Sequence, residues 1–245
     1  MKIIKRLKIL LFAFCMCNNA FAQEDYNYSD ELLTTTFKAY QAVDFDMANS
    51  MFPFVKERFL EHLKDSTSFT NPYDSLSKHI SIKYSLDSVV KTYTWSQRDP
   101  GCCHSSVSYA QYKNSTGAIT YINLKDKDDG DQDVFILGVH HIEINNKPHY
   151  LLLGWGTCCG GKHYSTAKVY SIINGVLQKS KSAFINEDYI FTEANRGQDI
   201  KITYNEEKKI LSYFSYQEDE ETGFYNNEQT HTQWKLTNKG FKKEK

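Results

Sequence analysis

From about residue 79 onward, β-branched and aromatic residues recur at every second position between turn formers. A period of two puts one stripe on each face of an extended strand, whereas on a helix the same residues would scatter around the axis. The pattern therefore commits most of the chain to antiparallel sheet. Strands are expected near 79–84, 89–96, 105–113, 117–124, 133–144, 149–155, 164–173, 176–180, 188–192, 199–204, 209–216 and 230–236. Asn174-Gly175 is a two-residue hairpin signal, and residues 145–148 and 205–208 read as slightly longer turns.

The hairpin around 145–148 carries more information. Pairing Ile144 with His149 places His140, Ile142, Ile144, Leu151, Leu153 and Trp155 on one face, and Phe135, Leu137, Val139, Tyr150 and Leu152 on the other. Both faces are bulky and apolar, so this part of the sheet must be covered on both sides, by another sheet or by the N-terminal helices.

Those helices are expected within 29–64. Leu33, Phe37 and Tyr40 form one stripe; Phe52, Val55, Phe59 and Leu63 form a second, with Pro53 in the first turn of its helix. Residues 65–78 read as a polar connector. At the N-terminus, a basic stretch (MKIIKRLK), an apolar run (ILLFAFCMC) and Ala20-Phe21-Ala22 have the form of a secretory signal cleaved before Gln23. The expected organisation is thus a signal peptide at 1–22, a helical segment and connector at 23–78, an antiparallel β domain at 79–241 and a frayed tail at 242–245. Within this reading the fold is mainly β, a curled antiparallel sheet of barrel-like or sandwich form with two short N-terminal helices.

Removing the signal takes Lys2, Lys5, Arg6 and Lys8 and no acid, moving the formal net charge from -1 to -5. A mildly acidic chain without a basic stripe does not suit nucleic acid, and no later stretch has the length and apolarity to cross a bilayer. Export also implies an oxidising compartment. The signal contains two of the six cysteines, so the mature chain keeps two adjacent pairs, Cys102-Cys103 and Cys158-Cys159.

Three chemistries compete for these pairs. With His104 and His163 they could ligate zinc or copper, but structural zinc sites space paired cysteines by two to four residues. Gly156-Thr157-Cys158-Cys159-Gly160 fits G-x-C-x-G, yet that nucleophile motif requires a strand-to-helix turn, and the residues that follow alternate as a strand. Disulfides are the expectation that leads. Consecutive Cα atoms lie about 3.8 Å apart, whereas a relaxed disulfide spans roughly 4.4–6.8 Å, so bonding within a pair is strained. Bonding between pairs closes a loop of roughly 57 residues, for which chain entropy credits about 4 kcal/mol. In a simple meander, loops 97–104, 125–132 and 156–163 share one rim. Across a flat sheet the two cysteine loops would be about 19 Å apart, so the sheet must curl or fold over.

Other residues invite weaker readings. The acidic run at 125–133 lacks EF-hand spacing, although Asp126, Asp128, Asp129, Asp131 and Asp133 could form a looser oxygen site; a hydrated loop is the expectation. His140 and His141 face opposite ways, and His149 lies four positions from His140, so a shared metal is not expected. Tyrosine is abundant, at 17 residues, which suits strands and also suits a surface that binds carbohydrate or protein.

The segment S-x-D-x-x-x-K-x-Y-x-W at Ser85–Trp95, with Gln111-Tyr112, YLLLGWG at 150–156 and AKVYSIINGVL at 167–177, resembles an uncharacterised family of exported Bacteroidetes proteins. The resemblance covers about residues 79–241 and implies export and an all-β body, with no assigned activity and no site. The function expected is that of an exported, periplasmic or secreted binding protein without catalysis and without a cofactor, its ligand a protein, carbohydrate or small molecule. The alternative is a metal-binding protein or hydrolase using the cysteine rim.

Overall fold

The computed structural model describes residues 28–98, 105–125, 133–158 and 160–244. Helix α1 occupies residues 28–42 and buries Leu33, Phe37 and Tyr40, the expected stripe. Helix α2 runs Phe45–Lys64 and buries Val55, Phe59 and Leu63. It begins eight residues before Pro53, because Asp44 caps it by accepting a hydrogen bond from the Met47 N–H at 2.9 Å. Pro53 therefore lies inside the helix and not in its first turn. Both Pro53 and Asn49, whose carbonyl loses its usual donor, are exposed, so water can meet the orphaned acceptor.

The connector is no loose linker. Its two 3-10 turns, Ser66–Phe69 and Leu76–Lys78, and the residues between them bury Phe69, Tyr73 and Leu76. The Asp30 carboxylate of α1 accepts from the Ser75 and Leu76 N–H groups, both at 2.8 Å, a tie between segments far apart in sequence.

Three antiparallel sheets follow, none closed into a barrel. Sheet 1 has the order β1 (Ser81–Tyr84), β2 (Val90–Ser96), β3 (Ser106–Lys113), β4 (Ile119–Asn123). Sheet 2 has the order β5 (Phe135–Ile144), β6 (Lys147–Cys158), β7 (Lys162–Ile173), β8 (Val176–Lys179), with β9 (Ile190–Asn195) also on β7. Sheet 3 runs β10 (Thr203–Asn205), β11 (Ile210–Glu218), β12 (Tyr225–Thr237), β13 (Gly240–Lys243). The meander thus breaks between β4 and β5, where the chain changes layer.

The layers stack as helices, sheet 1, sheet 2, sheet 3. Phe37 and Phe59 meet Tyr93, Trp95 and Tyr109 between the helices and sheet 1, mostly edge to face. Val90, Ala110 and Tyr112 of sheet 1 meet Val139, Tyr150, Leu152 and Tyr170 of sheet 2. The other face of sheet 2, with Ile142, Ile144, Leu151, Leu153 and Val169, meets Leu211, Trp234, Leu236 and Phe241 of sheet 3. The two apolar faces of the β5–β6 hairpin are therefore covered by sheets on both sides.

The register differs from expectation by two residues. Ile144 pairs with Lys147 because Asn145 and Asn146, at φ 52° and 57°, make a two-residue turn. A shift of two preserves the faces. A bulge between Ile136 and Gly138 does not: it turns Ile136 into the core and leaves Leu137 43% exposed, contrary to the alternation. The C-terminal stretch expected to fray pairs through Lys243. Gly240 opens that strand at φ 114°, where a Cβ would meet the Ala183 carbonyl oxygen at 2.5 Å.

Candidate functional site

Small hydroxyls bring sheets 1 and 2 together at the rim. Thr94 and Ser108 are cross-strand partners, with hydroxyls 2.9 Å apart. Ser108 donates to the Val134 carbonyl at 2.6 Å, so Thr94 donates to Ser108 and accepts from the Ile136 N–H at 3.4 Å. The start of β5 is thereby hydrogen-bonded to sheet 1 without a third strand. One residue away, the Tyr164 hydroxyl of β7 donates to the Asp133 carbonyl at 2.5 Å. The bases of the β2–β3 and β6–β7 turns thus converge on adjacent residues, 134 and 133, in two stacked layers.

Cys102, Cys103 and His104 lie outside the described residues, as do Cys159, Asp126, Asp128, Asp129 and Asp131. Gly156, Thr157 and Cys158 are the last residues of β6, with Cys158 opposite Lys162, so the G-x-C-x-G stretch begins in a strand and is followed by strand β7 and not by a helix. Asp133 pairs with Lys125 at 3.1 Å, closing the base of the acidic run. His163 accepts from the Trp155 Nε1–H at 3.1 Å and its Nε2 is 3.0 Å from the Gln198 carbonyl. Its proton is therefore on Nε2, and a metal would have to displace one partner. Lys162, next in the chain, meets Glu218 at 3.2 Å and Glu193 at 3.5 Å; the hydrogen bond to Glu218 raises its pKa despite partial desolvation.

His140 and His141 reach opposite layers. His140 contacts Glu206 at 2.8 Å beside Tyr204, and His141 approaches Asp87 at 3.7 Å beside Tyr150. The two-residue register shift brings His149 opposite Ile142, nearer His140 than four positions, and its Nδ1 bonds the Lys147 carbonyl. Among the described residues, no group of three or more His, Cys, Asp or Glu side chains is placed to hold a metal.

The S-x-D-x-x-x-K-x-Y-x-W segment is a set of structural ties. Ser85 donates to Asp87 at 2.6 Å and accepts from the Val89 and Val90 N–H groups, so its oxygen is engaged in closing the β1–β2 turn. Lys91 is fully buried. Its ammonium donates to the carbonyls of Ser68, Phe69 and Asn71 at 3.1, 3.4 and 2.7 Å and lies 4.5, 4.9 and 5.0 Å from the ring centroids of Tyr73, Tyr84 and Tyr93. Burial pulls its pKa down from 10.5 to about 7 and pushes those of Tyr73, Tyr84 and Tyr93 up. Lys91 fastens the connector to sheet 1.

Beside the rim, sheets 1 and 2 part. A recess of about 20 Å³, room for about one water, is lined by Ser106, Ser108, Thr166, Lys168 and Tyr170. It shares Leu124, Lys125 and Tyr170 with a shallower groove of about 230 Å³, which continues past Lys179 and Lys181 between β4 and β8. None of these lysines stands out as a motif. Lys168 was readable as an anomaly: it alternates with Ala167 and Val169, so it faces sheet 1 from a strand covered on both sides. Compared with known proteins, the chain matches no family model, no curated protein and no solved structure. Among the described residues, no helix is long and apolar enough to cross a membrane.

Proposed function

We propose that the chain is an exported binding protein without catalysis, and that its ligand enters the groove between sheets 1 and 2 beside the rim. The observation that carries this reading is the convergence of hydroxyls, lysines and Tyr170 on a recess and groove that two hydrophobic sheets leave unfilled. The Ser85–Asp87–His141 chain, which superficially resembles a hydrolytic set, supports the same reading: the aspartate lies between serine and histidine, so the imidazole does not face the hydroxyl, whose oxygen is already engaged by the Val89 and Val90 N–H groups. We further propose that the signal at 1–22 directs export and that disulfides between Cys102-Cys103 and Cys158-Cys159 staple the rim; the convergence of both turn bases on residues 133 and 134 supports such a link.

The test is a small-molecule and oligosaccharide panel against the chain beginning at Gln23, read by thermal shift and mapped by amide NMR. Ligands should perturb Leu124, Lys125, Tyr170 and Lys179 and be recovered unchanged. Hits mapping to another surface, or turnover of reporter esters or glycosides lost in Cys158→Ser, would overturn the assignment.

A further inference from the structure

Taking this groove as the ligand site, we infer that its occupant is an extended peptide segment that adds to the open edge of β4 as a further strand of sheet 1. The Asn114 N–H donates to the Ala118 carbonyl and the Leu124 N–H to the Ser108 carbonyl, both at 2.9 Å. With Thr120 opposite Tyr112 and Ile122 opposite Ala110, the alternation of an antiparallel ladder turns the even-numbered residues of β4 toward β3. Ile119, Tyr121 and Asn123 therefore direct their N–H and C=O groups away from the sheet. Among the described residues, no strand or loop bonds these six groups. Both faces of β4 are taken, Tyr121 packing toward the helices and Ile122 toward sheet 2, so the edge is what remains.

The other edge strands are blunted or covered, as edges that must not pair with another chain are. β1 and β8 are four residues long and carry Lys83 and Lys179; β13 carries Lys242 and Lys243, and β10 has three residues. β5 has its bulge, and its Ile136 N–H and carbonyl meet the hydroxyls of Thr94 and Ser81. β9 is tied to sheet 3, where the Asn195 side chain holds both the N–H and the carbonyl of Tyr225. β4, with the sequence ITYIN, has no charge, proline or bulge, and its first four residues are β-branched or aromatic, the types suited to pairing. A second copy of the chain does not suit this edge. Two such strands about 17 Å long, in sheets about 10 Å thick, would bury on the order of 340 Å² in all, against the roughly 1,200 Å² of a stable interface. A peptide needs no such rigid area, because its main chain takes the edge hydrogen bonds while alternate side chains turn to either side. Those opposite Thr120 and Ile122 point toward the groove, where Ile122, Leu124, Tyr170 and Leu177 supply an apolar lining. The segment is therefore one with apolar side chains at every second position.

The experiment adds four capped heptapeptides, Ser-Thr-X-Thr-X-Thr-Ser with X as Val, Leu, Phe or Tyr, to the chain from Gln23 and follows amide NMR shifts and hydrogen exchange. At about 5 mM, enough to reveal millimolar affinity, at least one should shift the amides of residues 119–123 and Leu177 and slow exchange at Ile119, Tyr121 and Asn123. In antiparallel pairing the Thr residues lie opposite those three, so N-methylating the Thr amides should abolish binding while N-methylating the X amides spares it. Asn123→Pro removes one edge donor at a position where a strand tolerates proline, and Thr120→Lys adds the charge that other edges carry. Each variant, checked for an unchanged melting temperature, should weaken binding about tenfold or more. If no peptide perturbs residues 119–123, if the Thr-methylated peptide binds as well as its parent, or if both variants bind unchanged, the strand-addition inference fails while the groove stands as a site. Self-association in sedimentation that Asn123→Pro abolishes would give the edge to a second copy and equally overturn the inference. The groove itself fails as a site only if hits of the small-molecule panel map elsewhere.

Discussion

Replacing Lys91 by Met should destabilise the protein by an amount that grows with pH. Methionine keeps most of the stem's volume but takes the donor from the carbonyls of Ser68 and Phe69, while the Asn71 carbonyl loses one donor and keeps the Tyr84 hydroxyl at 3.2 Å. Each of the two buried acceptors so orphaned costs about 1–3 kcal/mol, about 4 kcal/mol together at the middle of that range, and the lost bond to Asn71 adds about 1 kcal/mol. Against this stands relief of a buried ammonium. A pKa lowered from 10.5 to about 7 corresponds to about 5 kcal/mol of destabilisation while the group is charged. Because the unfolded chain keeps this proton up to 10.5, the wild-type fold gains stability as pH rises from about 7, by about 1.4 kcal/mol per unit. The variant has no such gain. Lys91→Met should therefore be about as stable as the wild type at pH 6 and about 3 kcal/mol less stable at pH 9. Tyr73, Tyr84 and Tyr93 are raised and stay neutral across this window, and groups elsewhere cancel in the difference. Urea unfolding at pH 6, 7, 8 and 9, followed by the fluorescence of Trp95 and its fellows, measures it. A difference independent of pH would refute the reasoning, since it would mean that three carbonyls and three rings hold the proton on Lys91 throughout.

Asp30→Ala removes the acceptor for two backbone N–H groups of the connector and should cost about 2–4 kcal/mol in chemical denaturation; a loss below about 0.5 kcal/mol would show that the connector is held without it. Gly156→Ala should displace Tyr164, whose ring atoms a Cβ would approach to 2.3 Å, and lower the melting temperature; an unchanged melt with Tyr164 in place in a structure would contradict this. Peptide mapping without reductant should recover the peptides of Cys102-Cys103 and Cys158-Cys159 joined, and their separate recovery would remove the staple. Calcium at millimolar concentration should leave the melting temperature unchanged, and a rise abolished by Asp128→Ala would defeat the hydrated-loop reading of 125–133.

Local patterns were legible where one residue's stereochemistry decides the outcome. Asn174-Gly175 makes its two-residue turn with φ of 52° and 80°, and Leu33, Phe37 and Tyr40 bury as spaced. The two apolar faces of the β5–β6 hairpin demanded two covers, and two sheets supply them. Alternation could not reveal the bulge at Ile136–Gly138, because one extra residue alters pairing without altering composition. Nor could it reveal the helix start at Asp44 against the stronger signal of Pro53.

The candidate site belongs to the second category. A lysine in a strand reads as solvent-facing when one face of the sheet is assumed wet, so Lys91 passes unnoticed until the stacking of layers is known, and only the apolar neighbours Ala167 and Val169 mark Lys168 out. Period two determined, from the sequence alone, that this chain is an antiparallel β protein with a hairpin buried on both faces. Which strands share a layer, and hence which lysines meet at a groove or inside a tyrosine cage, was decided only by the tertiary structure. Layer order depends on contacts between residues far apart in the chain, and the break between β4 and β5 is held by the hydroxyls of Thr94 and Ser108, two small side chains that look alike in sequence wherever they occur.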